Sequence, residues 1–196
     1  MYQNVIFDYG NTLVVYRERD IARHYVEEAD VPLFASVFFD RLYCDRLDDG
    51  TLSLEDWCAQ AATRLPPRLH AAMREACEGW YRTLPGVPGM AAVVARLQAE
   101  GRGVYLLSNI SREFAAHAAE MPGLAGFNGM VMSGPLGIVK PSLAIYRHLQ
   151  DTYGLDPATC VFVDDRAENI TGAARAGIAG YLFDGNASRL MDFLFS

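Results

Sequence analysis

The sequence predicts a doubly wound α/β protein built on a parallel sheet, interrupted after its first strand by a long helical insertion. Three observations carry this expectation. From residue 88 onward, short apolar runs alternate with helical patterns. Each run is nearly continuous, as in strands buried on both faces, and does not alternate as a half-exposed strand would. The stretch between the first and second strands, residues 16 to 84, is far longer than an ordinary crossover and holds no convincing strand.

The first strand begins at Tyr2 or Gln3, passes through Val5-Ile6-Phe7 and ends on Asp8, and the Gly10-Asn11 pair then lets the backbone turn beneath it. A strand tip can hold Asp8 as a positioned acid; the plainer alternative is that it caps a turn. Residues 17 to 29 read as one helix. Residues 32 to 45 read as a second, with Leu33, Val37, Phe38, Leu42 and Tyr43 at helical spacing. Asp48-Asp49-Gly50-Thr51 is a turn. Ser53, with Asp56 three residues on, caps a helix that runs through residue 64, and Pro66-Pro67 ends it and starts another to about residue 81. Trp57, Trp80 and Tyr81 fall at spacings that favour packing within this block over a partner-binding face.

After Pro88 a helix carries Met90, Val93, Val94 and Leu97 on one face and stops before Gly101. A strand over residues 103 to 107 ends on Ser108-Asn109. A helix over 112 to 120, a strand over 129 to 132 and a helix opened by Pro141 and closed by Gly154 follow. The strand over 160 to 163 ends on Asp164-Asp165, a helix over 167 to 176 stops at Gly177, and a last strand (178 to 183) and helix (188 to 195) complete the chain. The expected division is a Rossmann-like core, residues 1–15 and 85–196, and an α-helical insert, residues 16–84.

With 196 residues, 51% of them hydrophobic, the chain can bury a substantial core. A net charge of -7 without a Lys/Arg cluster argues against nucleic acid and anionic lipid as partners. The longest apolar stretch, residues 31 to 39, is too short to span a bilayer and contains Pro32. The first strand starts too close to residue 1 to leave room for a charged and an apolar leader region, so no signal peptide is expected. Cys44, Cys58, Cys77 and Cys160 form no C-x-x-C pair, and His24, His70, His117 and His148 show no H-x-x-x-H spacing. The expectation is a reduced, cytoplasmic monomer or homodimer.

In an open parallel sheet, ligands bind outside the carboxyl ends of the strands. Three strand ends supply Asp8, Ser108-Asn109 and Asp164-Asp165, and Lys140 stands at the start of a helix beside them. The carboxylates of Asp8, Asp164 and Asp165 are hard oxygen ligands suited to Mg2+, which also relieves their mutual repulsion. Lys140 adds a point charge and Ser108 a hydroxyl donor, so the set suits a tetrahedral dianion, most simply a phosphoryl group. Beside such a group Asp8 can act as a nucleophile, forming an aspartyl-phosphate that water then hydrolyses. Thr12 can hydrogen-bond the Asp8 carboxylate or cap the loop.

Four ordered motifs resemble the haloacid dehalogenase superfamily: F-D-Y-G-N-T-L (residues 7–13), L-L-S-N (106–109), V-K-P-S (139–142) and V-D-D-R-A-E-N-I (163–170). The resemblance covers essentially the whole chain, and the helical insert is similar to that superfamily's α-helical cap. It implies Asp8 as nucleophile and metal ligand, the Gly10 carbonyl and Asp165 as further ligands with Asp164 assisting, and Ser108, Asn109 and Lys140 at the phosphoryl oxygens. Asn169 would support them from behind. The implied activity is Mg2+-dependent hydrolysis of a small phosphorylated metabolite, expected to be a sugar phosphate.

One position departs from the phosphatase pattern. A second Asp usually stands two residues after the nucleophile and exchanges protons with the leaving group and water; here that residue is Gly10. Losing a general acid typically costs about a hundred- to ten-thousand-fold in rate. The 2-haloacid dehalogenases also lack this Asp, though they usually lack the acidic pair matched by Asp164-Asp165. The first motif is similar to a branch that includes α-glucose-1-phosphate phosphatases, whose anomeric leaving group needs less help. An acid of the insert (Asp45, Asp48 or Asp49) or an ordered water could replace the missing one. The remaining alternatives are a dehalogenase and a weakly active member that serves as a binding protein.

Overall fold

The apolar runs pair as a single parallel sheet, in a computed structural model that describes residues 1–196. Its strands are β1 (Asn4–Phe7), β2 (Gly103–Ser108), β3 (Gly129–Met132), β4 (Cys160–Asp164) and β5 (Ala179–Leu182), in the order β3-β2-β1-β4-β5. The chain therefore moves outward from β1 to β3 and then crosses to β4. The strand order reverses beside β1, which makes the carboxyl ends of β1 and β4 the crevice for a ligand.

Side-chain alternation divides the sheet between two cores. Val5 and Phe7 join Val104, Leu106, Val161 and Val163 in the larger. Ile6 joins Leu107, Val131, Cys160 and Phe162 in the smaller. In register, Phe7 pairs with Val163, so the next residues, Asp8 and Asp164, stand side by side with the parity of Ile6 and Phe162. The smaller core is closed by Ile145, Tyr146 and Leu149 of α9 (Leu143–Tyr153) and Ala173 of α10 (Ala167–Arg175). The larger is closed by α6 (Met90–Ala99) and α11 (Ala187–Phe195), and it continues without a break into the helical insert.

The insert carries α1 (Glu18–Ala22), α2 (Val31–Phe38), α3 (Arg41–Asp48), α4 (Leu54–Arg64) and α5 (His70–Gly79), with two 3-10 turns at Pro67–Leu69 and Trp80–Thr83. It has two more breaks than its periodicity predicts. The helix expected over residues 17 to 29 stops at Ala22, where Arg23 turns back to bind Asp20 at 2.6 Å and Glu28 at 2.9 Å. The helix expected over 32 to 45 is split at Asp40, whose carboxylate accepts the Leu42 N–H and so starts α3 as an N-cap. Ser53 caps α4 as expected, accepting from Asp56 N at 3.0 Å. Trp57 is buried and stacks on Tyr43 of the same block, whereas Tyr81 is buried against Phe114 and His117, outside it.

Three further differences lie in the core. The helix expected over 112 to 120 is α7 (Arg112–Ala115) followed by a 3-10 turn at Ala118–Glu120. A one-turn helix not foreseen, α8 (Ser133–Leu136), follows β3. The helix expected to open at Pro141 begins at Leu143, because Ser142 supplies its N-cap. Cys58 of α4 and Cys77 of α5 are joined by a disulfide, contrary to the expectation of reduced thiols. Their pairing follows from the packing of two helices and leaves no mark in the spacing. No helix is long and apolar enough to cross a membrane.

Candidate active site

The crevice is built where β1, β2 and β4 end. Asp8 N donates to the Val163 carbonyl at 2.9 Å, so the strand pairing extends to the acid itself and fixes its backbone. The chain then turns, and the left-handed residue of that turn is Asn11 at φ 54°, not Gly10. Asn is among the few side chains that adopt this conformation readily. Asn11 Oδ1 also accepts the Tyr16 N–H at 3.0 Å, closing the loop. Gly10 keeps an ordinary backbone, and a Cβ placed on it would meet only Tyr16 Cβ, at 3.7 Å.

Lys140 is the electrostatic centre. Its ammonium is buried and donates to Asp8 Oδ1 at 2.6 Å and to Asp164 Oδ2 at 2.8 Å. Burial acts to lower its pKa, but the two carboxylates outweigh that and hold it above the ordinary lysine value. Asn109 positions it by clasping its backbone: Asn109 Nδ2 donates to the Lys140 carbonyl at 3.1 Å, and Lys140 N donates to Asn109 Oδ1 at 2.8 Å. An ammonium has three N–H donors. Two are spent on carboxylates, which leaves one for a ligand.

The three carboxylates divide into two kinds. Asp164 is fully buried and heavily bonded, accepting from Lys140, from Arg166 N at 2.8 Å and from Asn169 Nδ2 at 3.0 Å. Asn169 is itself held from behind, its carbonyl accepting from Tyr146 Oη at 2.8 Å. Asp8 and Asp165 line the cavity, and Asp164 does not. Burial, together with repulsion from Asp164, pushes the Asp8 carboxyl up to about 6, although Lys140 pulls it down. Asp165 is raised as well, by burial first and then by Asp164. Ligand oxygens of Asp8, Asp164 and Asp165 lie within 4.8 Å of one another. Three carboxylates against one ammonium leave an excess of negative charge, and hard oxygen donors at this spacing fit a divalent cation with oxygen preference.

Ser108 ends β2, is buried and lines the cavity with no protein partner for its hydroxyl. Gly10, Asn109 and Lys140 line it too. Thr12 does not; it is fully buried in the turn, and its hydroxyl has no partner. The structure thus brings together Asp8, Gly10, Ser108, Asn109, Lys140 and Asp165, with Asp164 and Asn169 supporting them.

The cavity, about 230 Å3, extends from these groups into the insert. Its far wall is aromatic: Tyr16 meets Phe39 and Trp80 with ring centroids 5.7 and 5.6 Å apart, and Trp80 meets Phe114 edge-on at 5.2 Å. Asp48 also lines it. Sequence reasoning missed this wall, because Tyr16, Phe39, Trp80 and Phe114 come from four separate elements with no shared motif.

A haloacid dehalogenase-like hydrolase family model matches residues 2–177. Among curated proteins, a sesquiterpene phosphatase of Aspergillus oryzae is 30% identical over 92 residues, 46% of this chain and 47% of that protein. A drimenol cyclase of Aspergillus calidoustus is 33% identical over 81 residues, 41% of this chain and 15% of that protein. The matched stretches thus span less than half of either relative. An enzyme of the haloacid dehalogenase family from Bacteroides thetaiotaomicron, solved with magnesium and inorganic phosphate, superposes with a TM-score of 0.68 at 19% identity, covering 97% of this chain and 99% of that one. L-2-haloacid dehalogenase from Xanthobacter autotrophicus superposes with a TM-score of 0.66 at 21% identity, over 92% and 76% of the two chains. At these identities the two structures report on the fold.

Proposed function

The chain belongs to the haloacid dehalogenase-like hydrolase family, and from that premise we propose that it is a Mg2+-dependent phosphomonoesterase working through an aspartyl-phosphate on Asp8. The observation that carries this reading is the cluster of three carboxylates around one buried ammonium. Displacing a halide needs no metal and so no such surplus of acid, whereas a phosphoryl dianion beside Asp8 does. Asp8, Asp165 and the Gly10 carbonyl would hold the ion, with Asp164 assisting through the groups it orients. Magnesium held there supplies positive charge to the phosphoryl oxygens.

The chain's own groups do the rest. Lys140 fixes Asp8 through Oδ1 and leaves Oδ2 for attack on phosphorus. A bond forms from Asp8 oxygen to phosphorus as the bond from phosphorus to the ester oxygen breaks. The remaining Lys140 N–H and the Ser108 hydroxyl point donors at the phosphoryl oxygens, where charge is concentrated. Asn109 acts by holding Lys140. Water then attacks phosphorus, the Asp8–phosphorus bond breaks, and inorganic phosphate leaves.

The insert, residues 16–84, serves as a cap that forms the leaving-group pocket. Its aromatic wall packs best on an apolar alcohol, which moves the expected substrate from a sugar phosphate toward an apolar alkyl phosphate. The relative named as a sesquiterpene phosphatase is in keeping with that shift.

Metal removal tests the reading. In EDTA, phosphate release is expected to fall on the order of a hundredfold or more and to return on adding Mg2+. Halide release from a 2-haloacid, undiminished in EDTA, would instead identify a dehalogenase.

A further inference from the structure

Gly10 leaves the reaction without its usual proton carrier, and the insert offers four acids nearby, Glu18, Asp45, Asp48 and Asp49. Two are already occupied. Asp45 pairs with Arg41 at 3.1 Å on an exposed face of α3, and the Asp49 carboxylate closes a turn, accepting from Thr51 N at 2.9 Å and Thr51 Oγ1 at 2.6 Å. Glu18 and Asp45 also line the cavity, but both are exposed; Asp48 lines it half-buried, with Asp8, Ser108 and Lys140, and its carboxyl makes no hydrogen bond or ion pair with the protein.

Its position is also fixed. Ser133 Oγ donates to the Asp48 backbone carbonyl at 2.6 Å and accepts from Ile110 N at 3.0 Å. The last turn of α3 is thereby tied to the loops that follow β2 and β3, at the active end of the sheet. Gly50 tightens the junction: it adopts φ 73°, and a Cβ there would come within 2.7 Å of the Gly134 carbonyl oxygen. This part of the insert is therefore held against the core, and Asp48 lines the cavity that also holds the phosphate-binding groups and the aromatic wall.

We propose that Asp48 is the catalytic proton carrier that replaces the residue missing at Gly10. The assignment rests on the phosphatase reading above. In the first step the Asp48 carboxyl gives its proton to the ester oxygen as the bond from that oxygen to phosphorus breaks and the bond from Asp8 forms. In the second the Asp48 carboxylate takes a proton from water as the water oxygen attacks phosphorus and the bond from Asp8 breaks. The proton count closes, and Asp48 ends as it began.

The surroundings suit that role. Burial pushes the Asp48 carboxyl up to about 7; Asp45 adds to the rise, while Arg41 and Lys140 oppose it and Asp8 adds a smaller increment. Cys44 of the same helix and Tyr16 and Glu18 from the segment after β1 face the same space. A carboxyl poised near neutrality can both give and accept a proton.

The test compares Asp48→Asn with the parent protein on hexyl phosphate and on p-nitrophenyl phosphate, in Mg2+. The ties to the core use the Asp48 backbone, so Asp48→Asn is expected to keep the parent's thermal midpoint. Its kcat on hexyl phosphate should fall by about 10²–10⁴-fold. On p-nitrophenyl phosphate it should show a burst of nitrophenol followed by slow turnover, because the good leaving group needs no proton but the water step does. The parent's kcat on hexyl phosphate should decline above about pH 7, and that limb should vanish in Asp48→Asn. Adding Gly10→Asp, for which there is room, should restore at least a tenth of the parent's rate.

An Asp48→Asn protein within threefold of the parent, or one altered only in KM with an unchanged pH profile, overturns the assignment while leaving the phosphatase reading intact. A parent protein that hydrolyses neither ester and takes up no phosphate on Asp8 overturns both.

Discussion

Asp8→Asn is expected to abolish phosphate release, with a loss on the order of 10⁴-fold or more, the scale seen when a nucleophile is removed and only binding and electrostatic stabilisation remain. An amide oxygen is a far weaker nucleophile than a carboxylate and carries no charge for a metal. The fold should survive, since Asp8 is placed by its backbone hydrogen bond to Val163 and by the strand behind it. Removing one of two carboxylates crowded at Lys140 also relieves repulsion with Asp164. Phosphate release, Mg2+ titration and a thermal melt on the same sample check all three statements. An Asp8→Asn protein with parental turnover would remove Asp8 from the chemistry.

Lys140→Met should have the largest effect on stability. The ammonium is buried between two carboxylates, and taking away one partner of a buried ion pair costs about 3–5 kcal/mol because the charges left behind have no compensation. In metal-free buffer the loss should depend on pH. The Asp8 carboxyl already sits at about 6 in the folded parent, above its value of 3.8 when unfolded. The folded state therefore binds more protons between those limits, and the stability this contributes is present below pH 3.8 and lost as pH rises through about 6. Without Lys140 the carboxyl rises further and the loss extends to higher pH. Denaturation of parent and Lys140→Met at pH 5 and pH 7.5 tests the sign: the difference between them should be larger at pH 7.5. Activity should be lost along with stability, since the charged donor is gone and only the Ser108 hydroxyl remains for the phosphoryl oxygens.

Much of this is legible in the sequence, and for a definable reason. A strand in a parallel sheet is buried on both faces, so Val5-Ile6-Phe7 and the run ending at Val163 stand out as apolar blocks. The residue just past each block must sit at the carboxyl edge. That rule places Asp8, Ser108 and Asp164-Asp165 together from spacing alone, and Lys140 follows from the turn before α9. The helical insert was visible as a crossover too long to be a loop. Its internal breaks were not, because Asp40 and Arg23 act through side-chain bonds that override periodicity.

The division of labour among the acids was also invisible. Asp164 and Asp165 are chemically identical neighbours on a strand end, so by period 2 their side chains leave opposite faces. One meets Lys140, Asn169 and the Arg166 backbone; the other meets the cavity. Asp45, Asp48 and Asp49 are likewise alike in sequence, and only the partners each finds leave Asp48 free.

The sequence by itself determined the α/β class, the edge of the sheet at which the acids gather and the absence of an acid at position 10, because these depend on local pattern and on the identity of single residues. Tertiary structure alone decided that Lys140 stands between Asp8 and Asp164, that Cys58 meets Cys77, that four distant aromatics form one wall, and that the turn bearing Asp48 is tied to Ser133. Each of those is a contact between elements, whose existence depends on how helices pack against the sheet and not on any spacing along the chain.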